Sequence, residues 1–122
     1  GVSPHYLPPK RSVDSSPALV ASIRQLLTKQ NQPHHPGVTW TTDAPFRELR
    51  KDVLEYQQQG ILAVDMEAAA MLAVATANGV AGLAMFAIAD QLYGGEWRMA
   101  SDLHPAQKAL FLLFDAAYEM ST

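Results

Sequence analysis

The sequence predicts an α/β fold in which a mixed or largely parallel sheet is layered between helices as α/β/α. Short apolar runs alternate with longer segments of helical spacing, and glycine or proline separates many of these segments. Two of the runs carry no charged or strongly polar residue, which is typical of strands buried on both faces. Strands that alternate with helices in this way favour layered α/β architecture.

Composition limits the possible functions before any motif is considered. The 122 residues, of which 48% are hydrophobic and 17% charged, predict a single globular domain over residues 1–122. A net charge of −3 gives no basic patch for nucleic acid or anionic lipid. No apolar stretch approaches the ~20 residues of a membrane span. The absence of cysteine excludes disulfides and thiolate chemistry, and it is compatible with the cytoplasmic location that we expect.

The first part of the chain predicts a helix followed by a short strand. Ser16 can cap a helix, and proline is favoured at the first helical position, where Pro17 lies. Apolar residues then recur at helical spacing as far as about Lys29. After a proline-rich break, Val38, Trp40 and Thr41 predict a short strand at 38–41.

The middle of the chain predicts two further helices around a buried strand. One helix begins near Phe46 and ends at Gly60, which can cap its carboxyl end. The apolar run Ile61–Val64 predicts a buried strand. Residues 65–78 are apolar almost all round, which predicts a buried helix that ends at Gly79.

The last part predicts a strand, a loop and a final helix. Residues 80–89 form another apolar run, interpreted as a buried strand, and residues 91–102 are interpreted as a loop made mobile by a glycine pair. The final helix begins near Pro105. Four residues are predicted to form its core stripe: Leu110, Leu113, Phe114 and Ala117.

Asp65, Met66 and Glu67 follow a predicted strand and open a predicted helix. Open α/β sheets bind ligands at this position, and a carboxylate in the first turn of a helix is stabilised by the helix dipole. Glu67 could therefore accept hydrogen bonds from two adjacent hydroxyl groups of a ligand. The alternative is ordinary helix capping by Asp65, with Glu67 in solvent.

Asp90 follows the second apolar run and is a candidate general acid. The alternative is that Asp90 caps the loop that follows, which is a common role for Asp after a strand. Arg98 in that loop could fold over a site and support the acid, as residues of lids do. It could equally belong to a solvated surface loop.

Two other groups of residues are candidates for ligand binding, a histidine pair and three aromatic residues. His34 and His35 are adjacent, so on a strand they would face opposite sides, and a metal site is not predicted. Tyr6, Trp40 and Phe46 could line a pocket, although aromatic residues flanked by apolar ones more often belong to a core.

Four segments occur in an order that resembles the nucleoside phosphorylase superfamily: HYLPP (5–9), WTTDAPFRE (40–48), VDMEAAA (64–70) and IADQL (88–92). The superfamily includes purine nucleoside and uridine phosphorylases and the related nucleosidases. The resemblance implies a phosphorylase/hydrolase-like fold and a small-molecule nucleoside substrate. It also implies inorganic phosphate as co-substrate and no other cofactor.

The resemblance implies roles for residues at matching positions. Met66 would pack on the ribose and Glu67 would hold its hydroxyl groups, with Asp65 in the same substrate-binding segment. Phe46 would lie near the base. Asp90 would protonate a purine leaving group, although Ala89 stands where purine-acting members have serine.

Arg98 is the nearest match to the supporting arginine of the family, and it is grouped with Asp90 as catalytic. A slight preference for purines over uridine follows, because a purine offers a ring nitrogen for the proton that Asp90 would supply.

The family's glycine-rich phosphate-binding turn has no counterpart here. We therefore expect the chain to correspond to the carboxy-terminal portion of such an enzyme, with an incomplete fold and little or no phosphorolysis alone. Two alternatives stay open: a nucleosidase that uses water, and a truncated non-catalytic module that binds nucleoside or self-associates. An exposed sheet edge would favour a homo-oligomer.

Overall fold

The computed structural model describes residues 12–43, 50–93 and 96–122. The described residues form four helices and four strands: α1 (Pro17–Lys29), β1 (Val38–Thr41), α2 (Arg50–Gln58), β2 (Ile61–Asp65), α3 (Ala68–Ala77), β3 (Gln91–Tyr93), β4 (Glu96–Arg98) and α4 (His104–Ser121). Strand β1 pairs with β2 in parallel, and β3 pairs with β4 in antiparallel orientation. The predicted α/β class with parallel strand pairing is confirmed.

Helix α1 begins where the sequence predicts. The Ser16 side chain accepts a hydrogen bond of 3.4 Å from the Leu19 amide, and Pro17 occupies the first turn. The first amides of a helix have no partner inside it; Ser16 satisfies one of them, and Pro17 has no amide hydrogen to satisfy. The predicted end near Lys29 is also confirmed.

Strands β1 and β2 form the parallel sheet that positions the candidate site. Gly60 connects α2 to β2 with a positive φ of 79°, a conformation that glycine adopts without strain. Trp40 then lies opposite Val64, and Thr41 lies opposite Asp65. The predicted strands at 38–41 and Ile61–Val64 are confirmed, and β2 includes one more residue.

Helix α3 is shorter and less buried than the sequence predicts. It spans Ala68–Ala77, and Gly79 follows it with a φ of 66°, as expected for a terminating glycine. One side is buried through Leu72 and Ala73, whereas Met71 is 47% exposed. The prediction of an all-round buried helix was wrong, because the described residues pack against only one of its sides.

The predicted strand at residues 80–89 is absent, since these described residues have no regular secondary structure. The segment hydrogen-bonds instead to the start of α1, where the Ser16 amide donates to the Gly82 carbonyl at 2.7 Å. An apolar run does not define a strand by itself, because a strand also requires a neighbour of matching register.

The predicted loop at residues 91–102 contains a hairpin. Strand β3 pairs with β4 so that Gln91 lies opposite Arg98, and residues 94–95 between the strands lie outside the described ranges. A two-residue Gly-Gly connection between short apolar-containing runs is a recognised hairpin pattern. The sequence therefore carried this signal, and the interpretation as a loop was wrong.

Helix α4 packs against α1 through a different side than predicted. Ala116 is fully buried against Ile23 and Leu27 of α1. In contrast, Leu110 is 56% exposed and Phe114 is 68% exposed. The predicted core stripe was wrong for these two residues. A small alanine side chain at the contact permits close approach of two helices, whereas the apolar pattern of α4 extends around more than one side.

Two remaining points concern the limits of the described ranges. Tyr6, a candidate pocket residue, and the predicted helix start at Phe46 lie outside them. Among the helices that the structure describes, none is long and apolar enough to cross a membrane.

The packing of α1 on α4 can be tested by unfolding in urea. Leu27→Ala should lower the free energy of unfolding by about 2–5 kcal/mol, because it removes buried methyl groups and leaves a cavity. The matched change Leu110→Ala should alter it by no more than about 0.5 kcal/mol, since the side chain is exposed. Equal losses would contradict the observed packing and would support the predicted stripe.

Candidate functional site

Asp65 lies at the end of β2 and is the central acceptor of the β2–α3 junction. Its side chain is 8% exposed and accepts four hydrogen bonds. Two come from hydroxyl groups on β1: Thr39 donates to Oδ2 at 2.9 Å, and Thr41 donates to Oδ1 at 2.7 Å. The amides of Glu67 and Ala68 donate to Oδ1 at 3.1 and 2.8 Å. Asp65 therefore makes the capping interactions that were weighed as its alternative role.

Thr41 extends the same network into the first turn of α3. Its hydroxyl group donates to Asp65 and accepts a hydrogen bond of 3.1 Å from the Ala69 amide. The amides of Glu67, Ala68 and Ala69 precede the first intrahelical bond, which Met71 donates to the Glu67 carbonyl. Amides at this position have no partner within the helix. Asp65 and Thr41 together satisfy three of them.

Met66 and Glu67 occupy the turn between β2 and α3, and both are exposed. Met66 is 52% exposed. Glu67 is the residue that precedes α3, and its side chain makes no capping hydrogen bond. The Glu67 carboxylate consequently lies at the amino-terminal end of a helix dipole and is available to an external hydroxyl donor.

A cavity of about 490 Å³ lies beside β2 and α2. Its wall contains an aromatic pair, Trp40 and Tyr56, whose ring centroids are 4.3 Å apart with an interplanar angle of 37°. Phe86 and Ile88 from the segment after α3 contribute apolar surface, and Asp90 also lines the cavity. A cavity that combines aromatic and aliphatic side chains with one carboxyl group suits a planar heterocycle that carries a polar ring atom.

Asp90 also connects this cavity to the β3–β4 hairpin. One of its carboxylate oxygens accepts a hydrogen bond of 3.1 Å from the Ala100 amide, just after β4. Because Gln91 pairs with Arg98, the backbone of Arg98 lies across the hairpin from the residue that follows Asp90. The Arg98 side chain is exposed. The hydrogen bond to Ala100 corresponds to the loop-capping alternative for Asp90, and Asp90 also lines the cavity.

The structure brings some of the predicted site residues together. Met66 and Glu67 share the β2–α3 turn with Asp65, but the described residues that line the aromatic cavity do not include them. Phe46 lies outside the described residues. The cavity adds Tyr56, which lies on α2. It also adds Trp40, whose role as pocket or core residue the sequence left open.

Among the described residues, no group of three or more His, Asp or Glu side chains is arranged to hold a metal ion. Every buried side-chain nitrogen or oxygen of the described residues has a hydrogen-bond partner.

Comparison with known proteins places the chain in a family. The sequence profile of the Phosphorylase superfamily matches residues 1–116, so this chain belongs to that superfamily. Among curated proteins it is similar to the DeoD-type purine nucleoside phosphorylase of Mycoplasma pneumoniae, with 33% identity over 87 residues. That match covers 70% of this chain and 36% of the length of the relative. No solved structure gives a significant match.

The capping role of Asp65 can be tested by unfolding. Asp65→Ala should lower the free energy of unfolding by about 1–3 kcal/mol, because it leaves one buried and three part-buried donors without their acceptor. Asp102 is an exposed aspartate that accepts a single hydrogen bond, from the His104 amide at the start of α4. Asp102→Ala is therefore the matched control and should cost less, about 0.5–1 kcal/mol, because it removes one exposed capping hydrogen bond. A loss for Asp65→Ala no larger than that control would show that the network contributes little.

Proposed function

We propose that this chain supplies the sugar- and base-binding part of an enzyme that cleaves the N-glycosidic bond of nucleosides with phosphate. The products are pentose 1-phosphate and the free base. The observation that supports this most directly is the carboxyl group of Asp90 in an aromatic cavity of a chain that belongs to the Phosphorylase superfamily.

The base is proposed to occupy the cavity that Trp40 and Tyr56 line. As the bond between sugar and base breaks, its electron pair passes to the base, and Asp90 donates a proton to a base nitrogen. General acid catalysis of this kind contributes about 10²–10⁴-fold. Phe46 and Arg98 remain proposals for contact with the base and for support of Asp90.

The sugar is proposed to lie over the β2–α3 turn. Met66 packs on the ribose, and Glu67 accepts hydrogen bonds from its hydroxyl groups. The glycosidic carbon gains positive character as the bond breaks, similar to glycoside hydrolysis. A carboxylate that holds the sugar stabilises that charge, and an oxygen of phosphate then bonds to the same carbon.

A purine is the proposed base. A purine has a ring nitrogen that can take the proton from Asp90, and the M. pneumoniae relative is named as a purine nucleoside phosphorylase. Phosphate-binding residues are proposed to lie outside this chain, so phosphate is a co-substrate of the larger enzyme.

We also propose that the protein acts in the cytoplasm as a homo-oligomer. Several large apolar side chains of α4 are exposed, including Phe111 at 71% and Tyr118 at 65%. Exposed apolar patches of this kind mark interaction surfaces.

The second candidate is a non-catalytic module that binds nucleoside or self-associates. The specific observation in its favour is the absence from this sequence of a glycine-rich turn that leads into a helix with basic support. A nucleosidase, in which water replaces phosphate, is the remaining alternative within the enzyme class.

An assay of base release with and without phosphate distinguishes a phosphorylase, a nucleosidase and a chain without turnover. We expect the isolated chain to bind inosine and to show little or no phosphorolysis of inosine, adenosine or uridine. Turnover that requires phosphate would contradict the expected inactivity and exclude the non-catalytic module. Base release that is independent of phosphate would establish a nucleosidase.

The role of Asp90 can be tested wherever turnover is measurable, including with a longer form of the enzyme. Asp90→Asn cannot supply the proton, so kcat for inosine should fall by about 10²–10⁴-fold. The loss for uridine should be smaller, because its base lacks the purine ring nitrogen. Asp115 is an exposed aspartate on α4, and Asp115→Asn is the matched control that should leave both rates unchanged. Equal losses for the two substrates in Asp90→Asn would contradict its role as base acid.

A further inference from the structure

Two threonines of β1 hold both oxygens of the Asp65 carboxylate. Thr39 and Thr41 are two residues apart, so their side chains lie on the same face of the strand. Each hydroxyl group donates to a different oxygen, at 2.9 Å and 2.7 Å. Two anchors on one carboxylate fix its plane as well as its position. The buried Asp65 therefore has a defined orientation before α3 begins.

That fixed carboxylate in turn determines the path of the chain through Met66 and Glu67. Oδ1 of Asp65 accepts hydrogen bonds from the amides of Glu67 and Ala68, which lie two and three residues further on. Thr41 binds the next amide, that of Ala69. The turn is thus held on both sides, since two of the three consecutive amides bind Asp65 of β2 and the third binds Thr41 of β1.

From this geometry we infer that Thr39, Thr41 and Asp65 are positioning residues for Glu67, and that Thr41 determines how well the site discriminates ribose from deoxyribose forms. The inference rests on the proposed function of Glu67. Because Glu67 lies in the turn that the network fixes, a change in the network moves its carboxylate relative to the sugar. Thr41 is the most informative member, since its one hydroxyl group both donates to Asp65 and accepts from α3.

The test compares variants that differ in a single hydroxyl group. Thr41→Val keeps the β-branched shape but cannot donate to Asp65 or accept from Ala69. Thr41→Ser keeps the hydroxyl group and should therefore behave like the wild type. Thr76 donates to the Leu72 carbonyl at 2.8 Å within α3, away from the turn, so Thr76→Val is the matched control. Glu67→Gln provides the direct disruption of the sugar contact.

The first readout needs no ligand. Amide hydrogen exchange of the full chain should be faster at Glu67, Ala68 and Ala69 in Thr41→Val, and unchanged there in Thr41→Ser and Thr76→Val. Unchanged exchange at the three amides in Thr41→Val would overturn the network as the support of the turn, whatever the protein binds.

The second readout is the ratio of the Kd of 2′,3′-dideoxyinosine to the Kd of inosine, measured by calorimetry on the same proteins. Thr41→Val should reduce this ratio by about three- to tenfold, because the hydrogen bond from the sugar to the charged Glu67 is weakened. Glu67→Gln should reduce the ratio as well. Thr41→Ser and Thr76→Val should retain the wild-type ratio. A variant that is merely less stable lowers the folded fraction but leaves the ratio unchanged.

The outcomes separate this inference from the proposed function. If the wild type binds inosine and Thr41→Val speeds exchange without changing the ratio, the positioning role is overturned and the proposed function stands. If Glu67→Gln does not change the wild-type ratio, the sugar role of Glu67 fails. If the wild type binds neither nucleoside, the proposed function fails for this chain, and the exchange measurement still decides whether Thr41 fixes the turn.

Discussion

The structure around the candidate site depends on the burial of one carboxylate, that of Asp65. A carboxylate removed from water must be compensated by donors, and here two hydroxyl groups and two amides supply them. These donors come from β1 and from the start of α3, whereas Asp65 belongs to β2. One side chain therefore joins three elements, and the parallel register that places Thr41 opposite Asp65 makes this possible.

The same interaction explains why neighbouring acidic residues can have different roles. Asp65 faces inward, where its acceptor capacity is used by the protein itself. Glu67, two residues later, has an exposed side chain without a capping bond. One carboxylate thus organises the turn, and the other is exposed beside it. Sequence alone could not assign these roles, because both residues are acidic and both lie at a strand-to-helix junction.

The sequence predicted correctly the helix starts and ends that depend on the residue types at those positions. Ser16 with Pro17, and the glycines at 60 and 79, have backbone requirements that their own residue types satisfy, and the structure agrees with each. Predictions that depended on distant partners were less accurate. Residues 80–89 are as apolar as a buried strand, yet strand formation needs a neighbour of matching register that apolarity does not specify. The α4 contact uses Ala116, which contributes too little to an apolar pattern to be chosen over Leu110 or Phe114.

In the candidate site, too, the sequence indicated features that depend on neighbouring residues but not contacts between distant ones. The sequence pattern located Asp65, Met66, Glu67 and Asp90 because each follows an apolar run at a strand or segment end. It could not indicate that Trp40 and Tyr56 would pair beside Asp90, since the former lies on β1 and the latter on α2. Their proximity arises because α2 leads directly into β2, which pairs with β1. The turn fixed by Asp65 and the cavity that contains Asp90 are both connected to this strand pair. Changes in the register of β1 and β2 would therefore disturb both parts of the site together.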